Sequence, residues 1–145
     1  MKYRSIEKED LESCANIYSE VFSAEPWSEP WNKKIALERL LHFYESKGFV
    51  GVIAESEKKI GFVLGNIEPF YYGSIFYLRE MCVIASMQSK GLGAKLLLAL
   101  ENDLKKRSVK SIYLATELNI SASHFYLKNN FSISEETSFY EKKII

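Results

Sequence analysis

The stretch Gln88-Ser89-Lys90-Gly91-Leu92-Gly93 has the residue types and spacing of an anion site. An apolar, strand-like run from Phe76 to Ile84 enters it, and an amphipathic helix pattern from about Leu92 to Arg107 leaves it. The first N–H groups of a helix have no intrahelical partners. The helix dipole adds about half a positive charge at the same place. Gly91 and Gly93 offer no Cβ to block an approaching phosphate, and Lys90 adds a formal charge. The spacing excludes a P-loop, because no Gly-Lys-Ser/Thr follows a four-residue spacer. It departs from the dinucleotide fingerprint too, since Leu96 stands where a third glycine or alanine is needed. A plain strand-to-helix turn that uses glycine only for its shape is the competing explanation.

Glu80 is a second chemical feature. A carboxylate inside the apolar run Phe76 to Ile84 is costly unless it has a partner or a function. On a regular strand it shares a face with Leu78 and Cys82, and alternation excludes Arg79 as its partner. What remains is an ion pair with another Arg or Lys, or a role as a base.

A third is aromatic. Both tryptophans, Trp27 and Trp31, lie in the loop Glu25-Pro26-Trp27-Ser28-Glu29-Pro30-Trp31. Aromatic faces beside carboxylates such as Glu29 suit an ammonium group; the alternative is a pair of hydrophobic plugs that anchor the loop. Tyr71 and Tyr72 belong to another aromatic loop, Glu68 to Gly73. They make either a second wall of the same pocket or a surface that packs on a helix or a neighbouring subunit, as in a homodimer.

These residues need a scaffold. A chain of 145 residues with 47% hydrophobic residues is expected to form one domain, 1–145, with ample core. Net charge is zero, with 19 basic and 19 acidic residues, which argues against nucleic acid as the partner. The first residues lack the apolar region of a signal peptide, and no apolar run approaches the length that spans a membrane. Cys14 and Cys82 read as free core thiols in a reducing cytosol, hence a cytoplasmic protein. No Cys/His cluster has zinc spacing, so no metal is expected.

Periodicity supplies the elements. Tyr3 to Ile6 suggests a short strand. Leu11, Cys14, Ala15, Tyr18, Val21 and Phe22 make the buried stripe of a first helix opened by Glu9 and Asp10. Two prolines then interrupt helix formation. Asn32 suits the N-cap of a second helix, with Ala36, Leu37, Leu40, Leu41 and Tyr44 on its apolar face. Strands are expected over 49–54, 60–67 and 76–84 as an antiparallel meander. The helix after the glycine loop carries Leu96, Leu97, Leu100 and Leu104 as a clean stripe. It leads to a strand over 112–116, which a right-handed crossover makes parallel to the strand before the loop. A short helix over 119–130 follows, with Asn130 in a left-handed cap. Strands over 131–133 and 139–142 finish the chain.

Gln88-x-x-Gly91-x-Gly93 between a strand and a long helix resembles the acyl-CoA pyrophosphate loop of the GNAT superfamily of N-acetyltransferases. Asn119-x-x-Ala122-x-x-x-Tyr126-x-x-x-Asn130-Phe131 is similar to the family's second signature, with Asn130 in place of glycine. Pro26 to Trp31 resembles a subgroup, the aminoglycoside 6'-N-acetyltransferases. The resemblance implies a mixed α/β (α+β) fold. Its central sheet would be mostly antiparallel, of about six to seven strands, flanked by about four helices, with a parallel pair at the CoA site. It implies direct acetyl transfer from acetyl-CoA to a primary amine of a small molecule. Residues 88–93 (Gln88, Ser89, Lys90, Gly91, Leu92, Gly93), Asn119 and Tyr126 would hold the cofactor. The backbone of Cys82 and Val83 would pair with its pantetheine arm.

Such a reaction needs a base, because an alkylamine resembles lysine, with a pKa near about 10.4. It also benefits from an acid for a thiolate that resembles cysteine, near about 8.5. Glu80, in the strand where the family places the acyl group, is the candidate base, directly or through a water chain; Tyr126 matches the family's proton-donating tyrosine, with a core aromatic on an amphipathic helix as the alternative. Trp27, Glu29, Trp31, Tyr71 and Tyr72 would line the acceptor pocket. Two other functions fit the same residues: an acyl-CoA-binding sensor or scaffold without turnover, and an enzyme that acetylates peptides or proteins.

Overall fold

Short apolar runs separated by charged or glycine-containing turns pair into one sheet of five strands, ordered β1-β2-β3-β4-β5. They are β1 (Lys2–Ser5), β2 (Phe49–Glu55), β3 (Lys59–Phe70), β4 (Gly73–Val83) and β5 (Val109–Tyr113). The computed structural model describes residues 1–145, which form two compact units, 1–114 and 115–145. All five strands lie in the first unit. So do helices α1 (Leu11–Ser23), α2 (Lys33–Tyr44) and α3 (Leu92–Lys106). The expected meander is present: β2, β3 and β4 are antiparallel neighbours, and β4 pairs with β5 in parallel.

The middle of the sheet is buried on both faces. Val50, Val52, Ile53, Ala54, Phe62, Val63 and Leu64 are all buried, which is why β2 and β3 read as continuous apolar runs rather than alternating ones. On one face, Leu11, Cys14, Ala15 and Tyr18 of α1 and Ala36, Leu40 and Phe43 of α2 share a core with Ile53, Phe62, Leu64 and Cys82. The other face takes α3, through buried Leu92, Leu96, Leu97, Leu100 and Leu104. Each buried leucine contributes roughly 1.5–3 kcal/mol. That outweighs the roughly 1 kcal/mol that α3 forgoes by having no side-chain N-cap. Its N-terminus is therefore left open by a helix that packing alone holds in place.

Helix α1 begins later than the acidic residues suggest. Lys8–Asp10 form a 3-10 turn, and α1 starts at Leu11. Asp10 instead anchors an ionic cluster. Arg4 forks onto it at 2.8 and 2.9 Å and onto Glu55 at 2.6 Å. Lys59 reaches the same carboxylate at 2.9 Å. This ties β1 and the β2–β3 hairpin to the start of α1. Asn32 caps α2 as expected, accepting from the Ile35 N–H at 2.9 Å.

The second unit contains one helix, α4 (Ser121–Lys128). Asn130 takes φ +71°, the left-handed cap anticipated for it. The Phe131 N–H donates to the Tyr126 carbonyl at 3.0 Å and the Asn130 N–H to the Leu127 carbonyl at 3.3 Å, a Schellman end. The Tyr126 and Phe131 rings meet at 5.3 Å, the apolar contact that accompanies such an end. The strands expected over 131–133 and 139–142 do not form, so the sheet has five strands rather than six or seven. Strand propensity depends on cross-strand packing, and these runs have none: Ile133, Phe139 and Tyr140 are 62%, 75% and 90% exposed. The Thr137 N–H turns back onto Ser134 Oγ.

Candidate functional site

A β-bulge in β4 builds the centre of the site. Leu64 pairs with Glu80 but Gly65 pairs with Leu78, so Arg79 is an extra residue on β4. A Cβ on Gly65 would lie 2.0 Å from the Tyr77 carbonyl oxygen; only glycine permits this crossing. An extra residue shifts the alternation that follows it. Glu80 therefore lies with Leu64 and Cys82 on the α1–α2 face, opposite Leu78, and Arg79 joins it there. This corrects two expectations, that Leu78 and Glu80 share a face and that Arg79 cannot.

Glu80 is 8% exposed. Its Oε1 accepts from Arg39 Nε at 2.6 Å and from the Tyr18 hydroxyl at 3.2 Å; no hydrogen bond reaches Oε2. Burial raises its carboxyl above the usual carboxylate range, and Arg39 and Tyr18 oppose that rise without cancelling it. Burial and the nearby Glu80 charge hold the Tyr18 hydroxyl protonated well beyond its ordinary value. Trp31 stands edge-on to Tyr18 at 4.9 Å and donates through Nε1 to Glu29 at 2.9 Å. Trp27 joins through Phe22, at 5.1 Å. The expected residues Trp27, Glu29, Trp31 and Glu80 thus belong to one network. Tyr71 and Tyr72 form a separate group with Phe70 at the β3–β4 turn, with ring centroids 4.9 to 5.2 Å apart.

Beyond Tyr77, β5 no longer pairs with β4, which leaves one edge of β4 open within the first unit from Leu78 to Val83. The Ile84 N–H donates to Ile60 on β3, so by alternation the backbone groups of Cys82 also face β3 and those of Met81 and Val83 face outward. Cys82, expected to offer backbone to a pantetheine arm, has its groups in the ladder with Phe62 and its thiol buried in the core. Met81 instead has its backbone groups on the open edge. Parity alone predicts it, once one ladder bond is known. Val83 O accepts from Gln88 Nε2 at 2.9 Å, so the Gln88 side chain ties the loop back to the strand.

The loop itself fits a phosphate. Ser89 and Gly91 take φ +62° and +79°, and a Cβ on Gly91 would meet nothing within 4 Å. The first helical bond is Lys95 N–H to Gly91 O, which leaves the N–H groups of Leu92, Gly93 and Ala94 without helical acceptors. Lys90 adds its charge beside them. In the second unit, Asn119 adopts φ +59°, and Tyr126 sits on α4 against Phe125 and Phe131.

Two residues of the Glu80 network were missed in the sequence, Arg39 and Tyr18. Tyr18 was visible only as one member of a buried stripe. Arg39 carries no local signal, because a surface helix offers many such cations.

A parallel strand pair that ends at Tyr77, a bulge just beyond it and an uncapped helix N-terminus place a buried carboxylate, an open strand edge and an anion-binding turn in one unit. The chain belongs to the acetyltransferase (GNAT) family, whose sequence profile matches residues 11–131, and this family uses acetyl-CoA. Solved structures agree in fold. A possible acetyltransferase from Clostridium difficile 630 superimposes with a TM-score of 0.83 at 16% identity, over 99% of this chain and 97% of that one. An aminoglycoside acetyltransferase, meta-AAC0020, from an uncultured soil metagenomic sample in complex with trehalose gives 0.77 at 18%, over 99% and 96%. AAC(6')-Iy in complex with the bisubstrate analog CoA-S-monomethyl-acetylneamine gives 0.76 at 17%, over 98% and 97%. A comparison with curated protein sequences finds no match. No helix is long and apolar enough to cross a membrane.

Proposed function

We propose that this protein transfers the acetyl group of acetyl-CoA directly to a primary amine of a small molecule. The observation that carries the proposal is the one-sided bonding of Glu80. Both of its donors sit on Oε1, and Oε2 is left to take a proton.

The acceptor arrives as an ammonium ion, and Glu80 takes one proton from it, directly or through water. The free amine attacks the thioester carbonyl; a C–N bond forms and the C–S bond breaks, and the nitrogen then gives up a second proton, which replaces the one passed to the thiolate. The departing thiolate takes a proton, for which the second motif nominates the Tyr126 hydroxyl. Glu80 releases its proton to solvent, so the net products are the acetamide, free CoA thiol and one proton. Lys90, Gly91, Leu92 and Gly93 would hold the pyrophosphate, with Ser89 shaping the turn and Gln88 bracing it. Val83 and Met81 would align the pantetheine arm, and Asn119 is assigned to the same arm by its motif. Trp27, Glu29 and Trp31 would wall the acceptor pocket, while Tyr71 and Tyr72, at the far end of β4, stand apart from it. The two free thiols support a reducing, cytoplasmic setting.

The test is acetyl-CoA turnover across amines, polyamines, aminoglycosides and peptides, with Glu80→Gln as the control. Turnover of at least one amine, lowered roughly 10²–10⁴-fold by Glu80→Gln, supports the reading. Binding of acetyl-CoA with no turnover on the whole panel would overturn it in favour of a sensor.

A further inference from the structure

The bulge that turns Glu80 toward α2 turns a second charge the same way. The Arg79 guanidinium lies 3.8 Å from the Tyr77 ring centroid and 5.5 Å from that of Phe43. Arg39 lies on the same Phe43 ring at 4.9 Å. Two guanidinium groups thus flank one phenylalanine, and only one of them has a carboxylate. Arg39 is paired with Glu80, whereas Arg79 forms no ion pair, and its Nε is buried without an acceptor. Glu68, across from Ile75 nearer the start of β4, accepts from the Tyr113 hydroxyl.

A buried donor without a partner is rare and needs a physical reason, the more so when it is charged. A second orphan lies close by. Asn66 is the cross-strand partner of Tyr77, on the same face as Arg79. Its Nδ2 donates to the Lys47 carbonyl at 3.5 Å, and its Oδ1 is buried without a donor. One unpaired donor and one unpaired acceptor therefore lie on the α1–α2 face, one on the residue before Glu80 and one across from Tyr77. The Tyr77 ring, and more distantly the Phe43 ring, lie against the guanidinium and restrain it. A planar fork fixed in this way suits a carboxylate, which it can bind through two parallel N–H bonds.

We propose that Arg79 is the acidic-group subsite of the acceptor pocket: the acceptor is an amine that also carries a carboxylate, as an amino acid does. Its ammonium meets Glu80, its carboxylate meets Arg79, and an N–H or O–H of the same molecule satisfies Asn66 Oδ1. This rests on the acetyl-transfer reading of Glu80 and narrows its substrate class. It also separates this site from one built for polycations, which would confront two guanidinium groups here.

The experiment measures acetyl transfer to α- and ω-amino acids, each paired with its own carboxamide, together with polyamines and aminoglycosides. The expected result is a kcat/KM about 10- to 100-fold higher for at least one acid than for its amide, the size of a charge-assisted hydrogen bond. Arg79→Met should bring that ratio toward one, mainly through KM. Arg79→Lys keeps the charge without the fork and should leave an intermediate ratio; thermal melts of both variants report folding. Amides used as well as acids, a ratio unmoved in folded variants, or aminoglycosides used faster than any amino acid would overturn the subsite while leaving acetyl transfer standing. If no amine turns over, the acetyl-transfer reading fails on its own. The subsite is then read from thermal shift: an acid but not its amide must raise the wild-type melting temperature and fail to raise that of Arg79→Lys. Equal shifts, or none, overturn it.

Discussion

Arg39 Nε donates to Glu80 Oε1 across 2.6 Å, joining a half-exposed cation on α2 to a buried carboxylate on β4. The contact does more than fill a space. Burial alone would favour the neutral acid, and Arg39 is the main group that opposes it. Arg39 therefore favours the ionised form of Glu80 against its burial.

Replacing Arg39 with Met should raise the Glu80 pKa further. A base must be ionised to work, so the acidic limb of the kcat/KM profile should move to higher pH. An unmoved limb would exclude Glu80 as the group that titrates. The variant should also lose stability, by about 1–2 kcal/mol at neutral pH, less than a fully buried pair because Arg39 faces solvent in part. A carboxyl with a raised folded pKa binds more protons folded than unfolded. Arg39→Met raises that folded pKa again and leaves the unfolded one unchanged, so the loss should grow as pH rises through the raised folded value of Glu80 and shrink below it.

Gly91 separates shape from space. Its φ of +79° disfavours any β-carbon by roughly 1–2 kcal/mol, yet a Cβ there meets nothing. Gly91→Asn tolerates the left-handed backbone, whereas Gly91→Val does not. Both place atoms where a pyrophosphate would lie. Calorimetry should show at least about a tenfold loss of CoA affinity in both variants, with a larger drop in melting temperature for Val. Full affinity in folded Gly91→Asn would remove the loop from CoA binding.

Tyr126 has a structural duty already: its ring packs on Phe131 at the end of α4. Tyr126→Phe keeps that ring and removes only the hydroxyl. If the hydroxyl protonates the thiolate, kcat should fall roughly 10²–10⁴-fold with little change in the KM for acetyl-CoA. The defect should shrink with acyl donors whose thiol has a lower pKa. A rate within about threefold of wild type, far below that range, would leave Tyr126 as packing.

Asp10 should dominate acid stability. The Arg4 fork holds its carboxyl well below the usual range, helped by the Glu7 N–H and by Lys59. Its stabilisation is complete above about pH 4, the unfolded value, and is lost as pH falls toward the folded one. Asp10→Asn should cost roughly 3 kcal/mol at pH 7 and flatten the acid limb of stability. Urea melts at neutral and acid pH measure both.

What the sequence determined was set by local rules. The leucine stripe of α3 follows from a period of 3.6. The left-handed turns at Gly91 and Asn130 follow from backbone sterics, and the antiparallel meander and parallel crossover from connection lengths. The glycine loop was legible for the same reason: strand, turn and helix start are neighbours in the chain. Pairing decided the rest. One extra residue at Arg79, forced where Gly65 lets two strands close, reversed the face of Glu80 and exposed Arg79 to the same site. The ladder bond at Ile84 decided that Met81 rather than Cys82 faces the open edge. The runs over 131–133 and 139–142 kept strand-forming residues but found no ladder. A bulge and a register are properties of two strands together, and Arg39 meets Glu80 only because α2 lies over the bulge. No window of a single segment contains that information.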